Sequence, residues 1–311
     1  MTPLLCLVGP TAAGKTALAI DLARRFDAEI VGCDASQVYR GLDVGTGKAT
    51  PAELGDVRHH LIDVVDPQAH FDAAAYVRLA DAAIADIQGR GRRVIVCGGT
   101  GLYLRALLHG LCPAPPLDEA VRAQLAERIE AGELPSLYRE LQAVDPPTAA
   151  RLAPADRQRI ERALGVFLTS GTPISVWQAQ HGFEEERHAA HLVHLTWPRP
   201  VLNARIEARV NAMFASGFVE EVQALLAAGH GPALQSLAAL GYRFVAAALQ
   251  GELSMSAART QTLIATRRYA KRQETWFSAL SAAHRVMGPV DPADLALYLR
   301  SHWNAAEPVT P

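Results

Sequence analysis

Apolar residues along this chain come in two textures. Short, dense runs occur at Leu4-Leu5-Cys6-Leu7-Val8, Ala28-Glu29-Ile30-Val31-Gly32-Cys33, Arg93-Val94-Ile95-Val96-Cys97 and His191-Leu192-Val193-His194-Leu195-Thr196-Trp197. Their length and density predict strands buried on both faces. Between and beyond them, apolar positions recur at helical spacing over Thr16 to Arg25, Asp72 to Gln88, Val201 to Phe214, Val219 to Ala228 and Met255 to about Ala279. Arg58 to Pro67 is a further strand candidate, closed by Asp66-Pro67. Strands alternating with helices at this spacing predict a parallel sheet covered on both faces. The pattern breaks at the proline-rich joint Cys112-Pro113-Ala114-Pro115-Pro116-Leu117, and from Asp118 to about Gly182 it is helical with no strand. The expected fold is α/β: a P-loop-type parallel sheet flanked by helices, with an inserted all-helical domain. Residues 1–117 and 189–311 form the α/β core, residues 118–188 the insertion, and the tail after Glu307 is expected to fray.

The segments that leave the strands carry the candidate chemistry. Gly9-Pro10-Thr11-Ala12-Ala13-Gly14-Lys15-Thr16 reads Gly, four residues, Gly-Lys-Thr, the spacing of a phosphate-binding loop between a strand and a helix. Such a turn aims backbone N–H groups and the positive end of a helix dipole at an anion. Lys15 would reach a terminal phosphate, and the Thr16 hydroxyl a bound Mg²⁺. Asp34-Ala35-Ser36-Gln37 and Gly98-Gly99-Thr100-Gly101 also follow strands directly. Ligands of parallel sheets bind outside the carboxyl ends of the strands, so all three segments belong to one edge. There Asp34 suits either of two jobs, Mg²⁺ ligand or general base, with a plain turn cap as the bland alternative. A P-loop ATPase also wants an apolar strand ending in an acid to hold its Mg²⁺. Here Val94-Ile95-Val96-Cys97 runs into Gly-Gly-Thr, and Asp63 and Asp66 lie in a turn-like context. The phosphate can then belong to a substrate's leaving group, with no nucleotide to be hydrolysed.

Composition narrows the partners. The chain has 311 residues, half of them hydrophobic, and a net charge of −2, so a nucleic-acid contact must be local. Two basic clusters qualify. In Arg157-Gln158-Arg159-Ile160-Glu161-Arg162, Arg159 and Arg162 are helical neighbours. Thr266 to Phe277 interleaves basic residues with aromatics, and Arg268, Lys271 and Arg272 share a face. Such a face can grip a phosphate backbone and stack on bases, though a merely solvated face fits the pattern equally well. Arg205 and Arg209, one turn apart, could reach a diphosphate or simply be exposed. Four cysteines without a C-x-x-C pair predict buried free thiols in a reducing compartment. His59-His60 reads as a packed pair, not a metal site. No apolar run approaches the roughly 20 residues that span a bilayer, and the chain opens without a leader, so no membrane and a cytoplasmic location are expected.

Together these motifs resemble the tRNA dimethylallyltransferases, or tRNA isopentenyltransferases. The resemblance spans nearly the whole chain: Gly9 to Thr16, Asp34 to Tyr39, His59-His60-Leu61-Ile62-Asp63, Gly98 to Tyr103, Gln158 to Arg162, Leu240-Gly241-Tyr242-Arg243 and Lys271 to Phe277. It implies transfer of a dimethylallyl group from dimethylallyl diphosphate to N6 of an adenine beside the anticodon of tRNA, with Mg²⁺ as cofactor. It implies catalytic roles for Asp34 and Thr100, diphosphate contacts from Gly9 to Thr16 and from Arg209, and metal contacts from Thr16 and Asp34. It further implies that the anticodon stem-loop meets Asp34, Ala35, Ser36, Gln37, Thr100, Arg122, Gln158, Arg159, Ile160, Glu161, Arg162, Lys271, Arg272 and Gln273, with the insertion clasping the RNA. A monomer is expected. Two departures touch local contacts: Asp34-Ala35 replaces the usual Asp-Ser, and Gly45-Thr46-Gly47-Lys48-Ala49 replaces Gly-Thr-Ala-Lys-Pro. The competing readings are the same chemistry on a free adenine nucleotide, a P-loop kinase of a small metabolite that would also bind ATP, and a non-catalytic RNA-binding module.

Overall fold

The computed structural model describes residues 2–182, 185–231, 239–280 and 282–303. In chain order, β1 (Leu4–Val8) leads into α1 (Lys15–Phe26) and then β2 (Ala28–Cys33). A connection containing α2 (Pro51–Leu54) reaches β3 (His59–His60), followed by α3 (Ala73–Gly89), β4 (Arg93–Gly98) and α4 (Gly101–His109). Five helices come next: α5 (Glu119–Glu130), α6 (Leu134–Val144), α7 (Pro146–Ala149), α8 (Arg157–Ser170) and α9 (Ile174–His181). The chain then forms β5 (Ala190–Thr196), α10 (Arg199–Ala215), α11 (Phe218–Ala227), α12 (Tyr242–Leu249), α13 (Met255–Ser278), β6 (His284–Met287) and α14 (Pro292–His302).

Two compact units result, one of Met1–Leu108 with Glu186–Pro311, the other of His109–Glu185. The second unit starts ahead of the expected boundary at residue 118, because the proline-rich joint packs with it. Arg162 of α8 donates to the carbonyls of Ala114 and Pro115, and Leu117 lies against Gly165. Leu125, Leu137, Leu141, Ile160, Ala163 and Leu164 form its own apolar core.

In the first unit six parallel strands are ordered β3-β2-β4-β1-β5-β6. Val8 pairs with both Gly98 and His194, and Cys33 with Gly98, so three neighbouring strands end level. That alignment delivers the segments after β1, β2 and β4 to one edge. Leu5, Leu7, Ile30, Ile95, Val193 and Leu195 pack one sheet face onto Leu18, Ala19 and Leu22 of α1. Leu299 of α14 and Trp303 complete that layer, with the Trp303 indole N–H donating to the Pro3 carbonyl at 2.8 Å.

The expectation of a strand over 58–67 is corrected to two residues, His59–His60. Leu61 and Asp63 adopt left-handed φ values of 62° and 57°, which an extended strand cannot continue through. Pairing resumes only as an isolated bridge between Tyr39 and Val65. β6, α12 and α14 were not foreseen. The β6 segment His-Arg-Val-Met is too short and too polar to read as a strand. The tail beyond Glu307 lies outside the described residues.

At the far end of the sheet from the phosphate loop, Glu29 of β2 is fully buried. It accepts hydrogen bonds from both Arg90 terminal nitrogens and bonds His60 Nε2 at 2.7 Å, with Arg92 3.5 Å away. The hydrogen bonds from Arg90, and then from His60, hold its carboxyl down at about 2. His60 is thus a packed partner of Glu29, and no cluster among the described residues has the make-up of a metal site of three or more His, Cys, Asp or Glu side chains.

Candidate active site

The phosphate loop turns at Gly14, whose left-handed φ of 95° caps α1 and leaves Lys15 and Thr16 in the first helical turn. The free amide ends of α1 face a cleft of about 480 Å³ lined by Thr11, Ala12, Lys15, Thr16, Asp34, Gln37, Arg209, Tyr269 and Gln273, among others. The Lys15 ammonium donates to the Pro10 carbonyl at 2.7 Å, curled over the loop it belongs to. Burial pushes it down from its ordinary value to about 8; the Cys97 thiol and Asp34 oppose that shift, and Arg209 adds to it.

Asp34 leaves β2 into the same cleft. Its Oδ1 accepts the Ser36 and Gln37 N–H groups at 2.8 and 3.3 Å. The turn-cap reading therefore applies, and the cap fixes the carboxylate where Lys15 and Arg209 feel its charge. Thr100 follows β4, and its hydroxyl oxygen accepts the Ala35 N–H at 3.0 Å. Tyr269, from α13, also lines the cleft, where burial, with the charge of Asp34 adding to it, raises the phenol well above its ordinary range. Tyr269 was missed because an aromatic on a basic helix reads as an RNA-stacking group, whereas it lines the cleft beside Asp34.

The loop's carbonyl side is held from α10. Arg205 Nε donates to Ala12 O at 2.8 Å while its guanidinium stacks over Trp197, whose indole N–H donates to Ala13 O at 2.9 Å. Arg205 is thus an anchor of the loop's shape, and Arg209 the arginine that faces the cleft. Arg209 donates to Thr46 O at 3.0 Å. Its guanidinium occupies the place that a Cβ on residue 47 would need, so the Gly47 departure makes room for it.

Several residues expected at the RNA have internal partners instead. Gln273 is buried; its carbonyl accepts the Thr11 N–H and its amide donates to Gly99 O, each at 2.8 Å. It staples the phosphate loop to the turn after β4. Ile160 is a core side chain of the helical unit, and Arg162 is spent on the proline-rich joint. Glu161 is half-buried. Arg122, Gln158 and Arg159 lie exposed on α5 and α8, Arg159 paired with Asp156 at 3.3 Å. On α13 the exposed Lys271 and Arg272 line a hollow with Arg268, Thr275 and Trp276. Ala35, Ser36 and Gln37 are half-buried, and Gln37 lines the cleft.

Comparison with known proteins follows the same outline. The IPP transferase family matches residues 37–280. A tRNA dimethylallyltransferase of Syntrophobacter fumaroxidans is 50% identical over 277 residues, covering 89% of this chain and 81% of its own. One from Anaeromyxobacter sp. is 50% identical over 296 residues, covering 95% and 98%. The crystal structure of a tRNA isopentenylpyrophosphate transferase from Bacillus halodurans superposes with a TM-score of 0.73 at 32% identity, covering 97% of each chain. With half its residues shared along nearly its full length, the chain belongs to the IPP transferase family, that of the tRNA dimethylallyltransferases.

Proposed function

We propose that this chain transfers the dimethylallyl group of dimethylallyl diphosphate to N6 of an adenine next to the anticodon of tRNA. The observation that carries the reading is the cleft itself: a phosphate loop, Asp34 and Arg209 meet there, with Thr100 bonded to the Ala35 N–H next to Asp34, while β4 runs into Gly-Gly-Thr with no acid. That inventory suits a diphosphate that departs whole better than a nucleotide that is hydrolysed.

The adenine N6 amine is a weak nucleophile because its lone pair is delocalised into the ring. As N6 bonds to the allylic carbon, the carbon–oxygen bond to diphosphate breaks and Asp34 takes the N6 proton, a general-base contribution of roughly 10²–10⁴-fold. Negative charge grows on the leaving diphosphate, opposite the α1 N-terminus, Lys15, held by Pro10 O, and Arg209, held by Thr46 O. Thr100, fixed by the Ala35 N–H, orients the amine or a diphosphate oxygen. Thr16 and Asp34 offer a hydroxyl and a carboxylate, hard oxygen donors of the kind Mg²⁺ takes alongside water and substrate phosphates. Bound there, Mg²⁺ would supply further charge neutralisation for the diphosphate. The target base must leave its stack, at a cost of a few kcal/mol. The exposed cations Arg159, Lys271 and Arg272 and the exposed Arg122 suit RNA phosphates that would offset it.

Incubating tRNA with the protein, Mg²⁺ and dimethylallyl diphosphate, then digesting it for nucleoside mass spectrometry, tests the reading. One added dimethylallyl mass on an adenosine beside the anticodon is expected. An unmodified tRNA, with ATP-dependent phosphorylation of a small acceptor instead, would replace it with the kinase reading.

A further inference from the structure

Residues Leu42 to Lys48 run between β2 and β3 without regular structure, yet they are tied at almost every position. Three consecutive N–H groups, those of Asp43, Val44 and Gly45, converge on the single carboxylate of Glu221 in α11 at 2.8, 2.7 and 3.1 Å. Tyr242, the first residue of α12 and fully buried, donates its hydroxyl to the same carboxylate at 2.6 Å. Gly45 lies so close to the Phe218 and Tyr242 rings that a Cβ there would overlap both. Lys48 secures the far end of the loop, donating to Tyr39 O and pairing with Asp43 and Asp63.

The loop's outward carbonyls face the cleft. Thr46 O accepts from Arg209 at 3.0 Å and from Gln37 Nε2 at 3.2 Å, and Gly47 O accepts from Gln37 at 3.3 Å. Arg209 and Gln37 both line the cleft with Lys15 and Asp34. A continuous path of hydrogen bonds therefore runs from Glu221, through the loop backbone, to the cleft arginine.

From this we infer that Glu221, fixed by Tyr242, is a positioning residue for diphosphate binding: it folds the 43–45 backbone around its carboxylate so that the Thr46 carbonyl holds Arg209 over the leaving group. The inference rests on the diphosphate reading above. It assigns the Leu240-Gly241-Tyr242-Arg243 motif an internal task, through Tyr242, and makes Glu221 more than a surface acid of an amphipathic helix. Four donors and one carboxylate make a matched set, since an ionised carboxylate only accepts. A glutamine at 221 keeps the shape but turns its NH₂ against N–H or O–H donors, so the loop must let go at one point.

The test is calorimetric binding of inorganic diphosphate with Mg²⁺ to the full-length protein, for the wild type, Glu221→Gln, Arg209→Ala and the double variant. Tyr242→Phe, which deletes one donor and keeps the ring, stands in should Glu221→Gln fail to fold. Thermal unfolding is followed in parallel. Glu221→Gln should weaken diphosphate binding by roughly tenfold, and Tyr242→Phe by a few-fold, a tenfold change being about 1.4 kcal/mol. In the double variant the losses should overlap, because both substitutions remove the same clamp. Losses that simply add, or unchanged binding alongside a lowered Tm, would overturn the inference and leave Glu221 a structural residue. A wild type that fails to bind diphosphate would instead overturn the diphosphate reading itself.

Discussion

The cleft and the basic helix faces are both rich in cations, and they are built on opposite terms. In the cleft, Lys15, Arg209, Asp34 and Gln273 each have a backbone partner that fixes the side chain before any substrate arrives. On the helix faces, Arg122 and Lys271 are exposed, Arg272 is exposed with its guanidinium over the Tyr269 ring, and Arg159 has one exposed ion pair. Fixed dipoles in a partly dry site stabilise charge that appears only during reaction. Mobile surface cations instead bind by releasing counterions, a weaker and salt-dependent effect spread over many contacts. Clusters of like composition are thus held in place by internal partners in one region and left exposed in the other, and burial tells them apart.

Substitutions can break this contrast, starting with the largest effect. Asp34→Ala should lower the single-turnover rate by roughly 10²–10⁴-fold with little change in tRNA affinity. A rate within tenfold of wild type would remove Asp34 as the base. Lys15→Ala should cost roughly 10²–10³-fold in the chemical step, the scale of losing one fixed donor to developing negative charge. Quench-flow with labelled dimethylallyl diphosphate reads it, and an unchanged rate would mean that the P-loop lysine does not meet the leaving group.

Gln273 tests the border between the two regions, because it lies in the basic helix yet serves the cleft. Leaving the Thr11 N–H and Gly99 carbonyl without their partner costs roughly 1–3 kcal/mol. Gln273→Ala should therefore weaken diphosphate binding about tenfold while the salt dependence of tRNA binding stays as in wild type. A changed salt slope with intact diphosphate binding would return Gln273 to the RNA. The smallest single effects belong to Arg159, Lys271 and Arg272. Charge-removing substitutions there should each flatten the slope of log K against log[salt] by up to about 0.7–0.9, without touching diphosphate affinity. Filter binding across salt concentrations would expose an unaltered slope, the signature of faces that are only solvated.

The cleft was legible in the sequence wherever local pattern and chemistry coincide. The phosphate loop, Asp34 and Thr100 follow apolar runs directly, and a parallel sheet aligns the ends of such runs without further information. The tertiary partners were not legible. Glu221 sits in a helix turn beside Glu220, where any acid passes for a solvated or dipole-favoured residue, and its three amide partners are some 177 positions away. Gln273, Ile160 and Arg162 failed for a related reason: a helix with charges on several sides does not announce which turn faces inward. β6 escaped because it is four residues long and half polar, whereas α14, with Leu295, Ala296 and Leu299 at helical spacing, was legible and not read, although Trp303 just beyond it seals the core.

The buried Glu29 at the far end of the sheet gives the protein an acid limit of its own. Its carboxyl ionises at about 2 in the folded chain against about 4.5 when exposed, because Arg90 and His60 hydrogen-bond the anion. A depressed carboxyl contributes stability that is complete above the unfolded value and lost as pH falls toward the folded one. This share, up to about 3 kcal/mol, should drain away between roughly pH 4.5 and 2. Glu29→Gln should flatten that part of the stability curve in urea titrations at successive pH values, while lowering stability at neutral pH by leaving Arg90 with only the exposed Asp86 as a carboxylate partner. Acid should accordingly loosen β2 and β3 from the end opposite the phosphate loop, so that protein stability and catalysis respond to protons through separate groups.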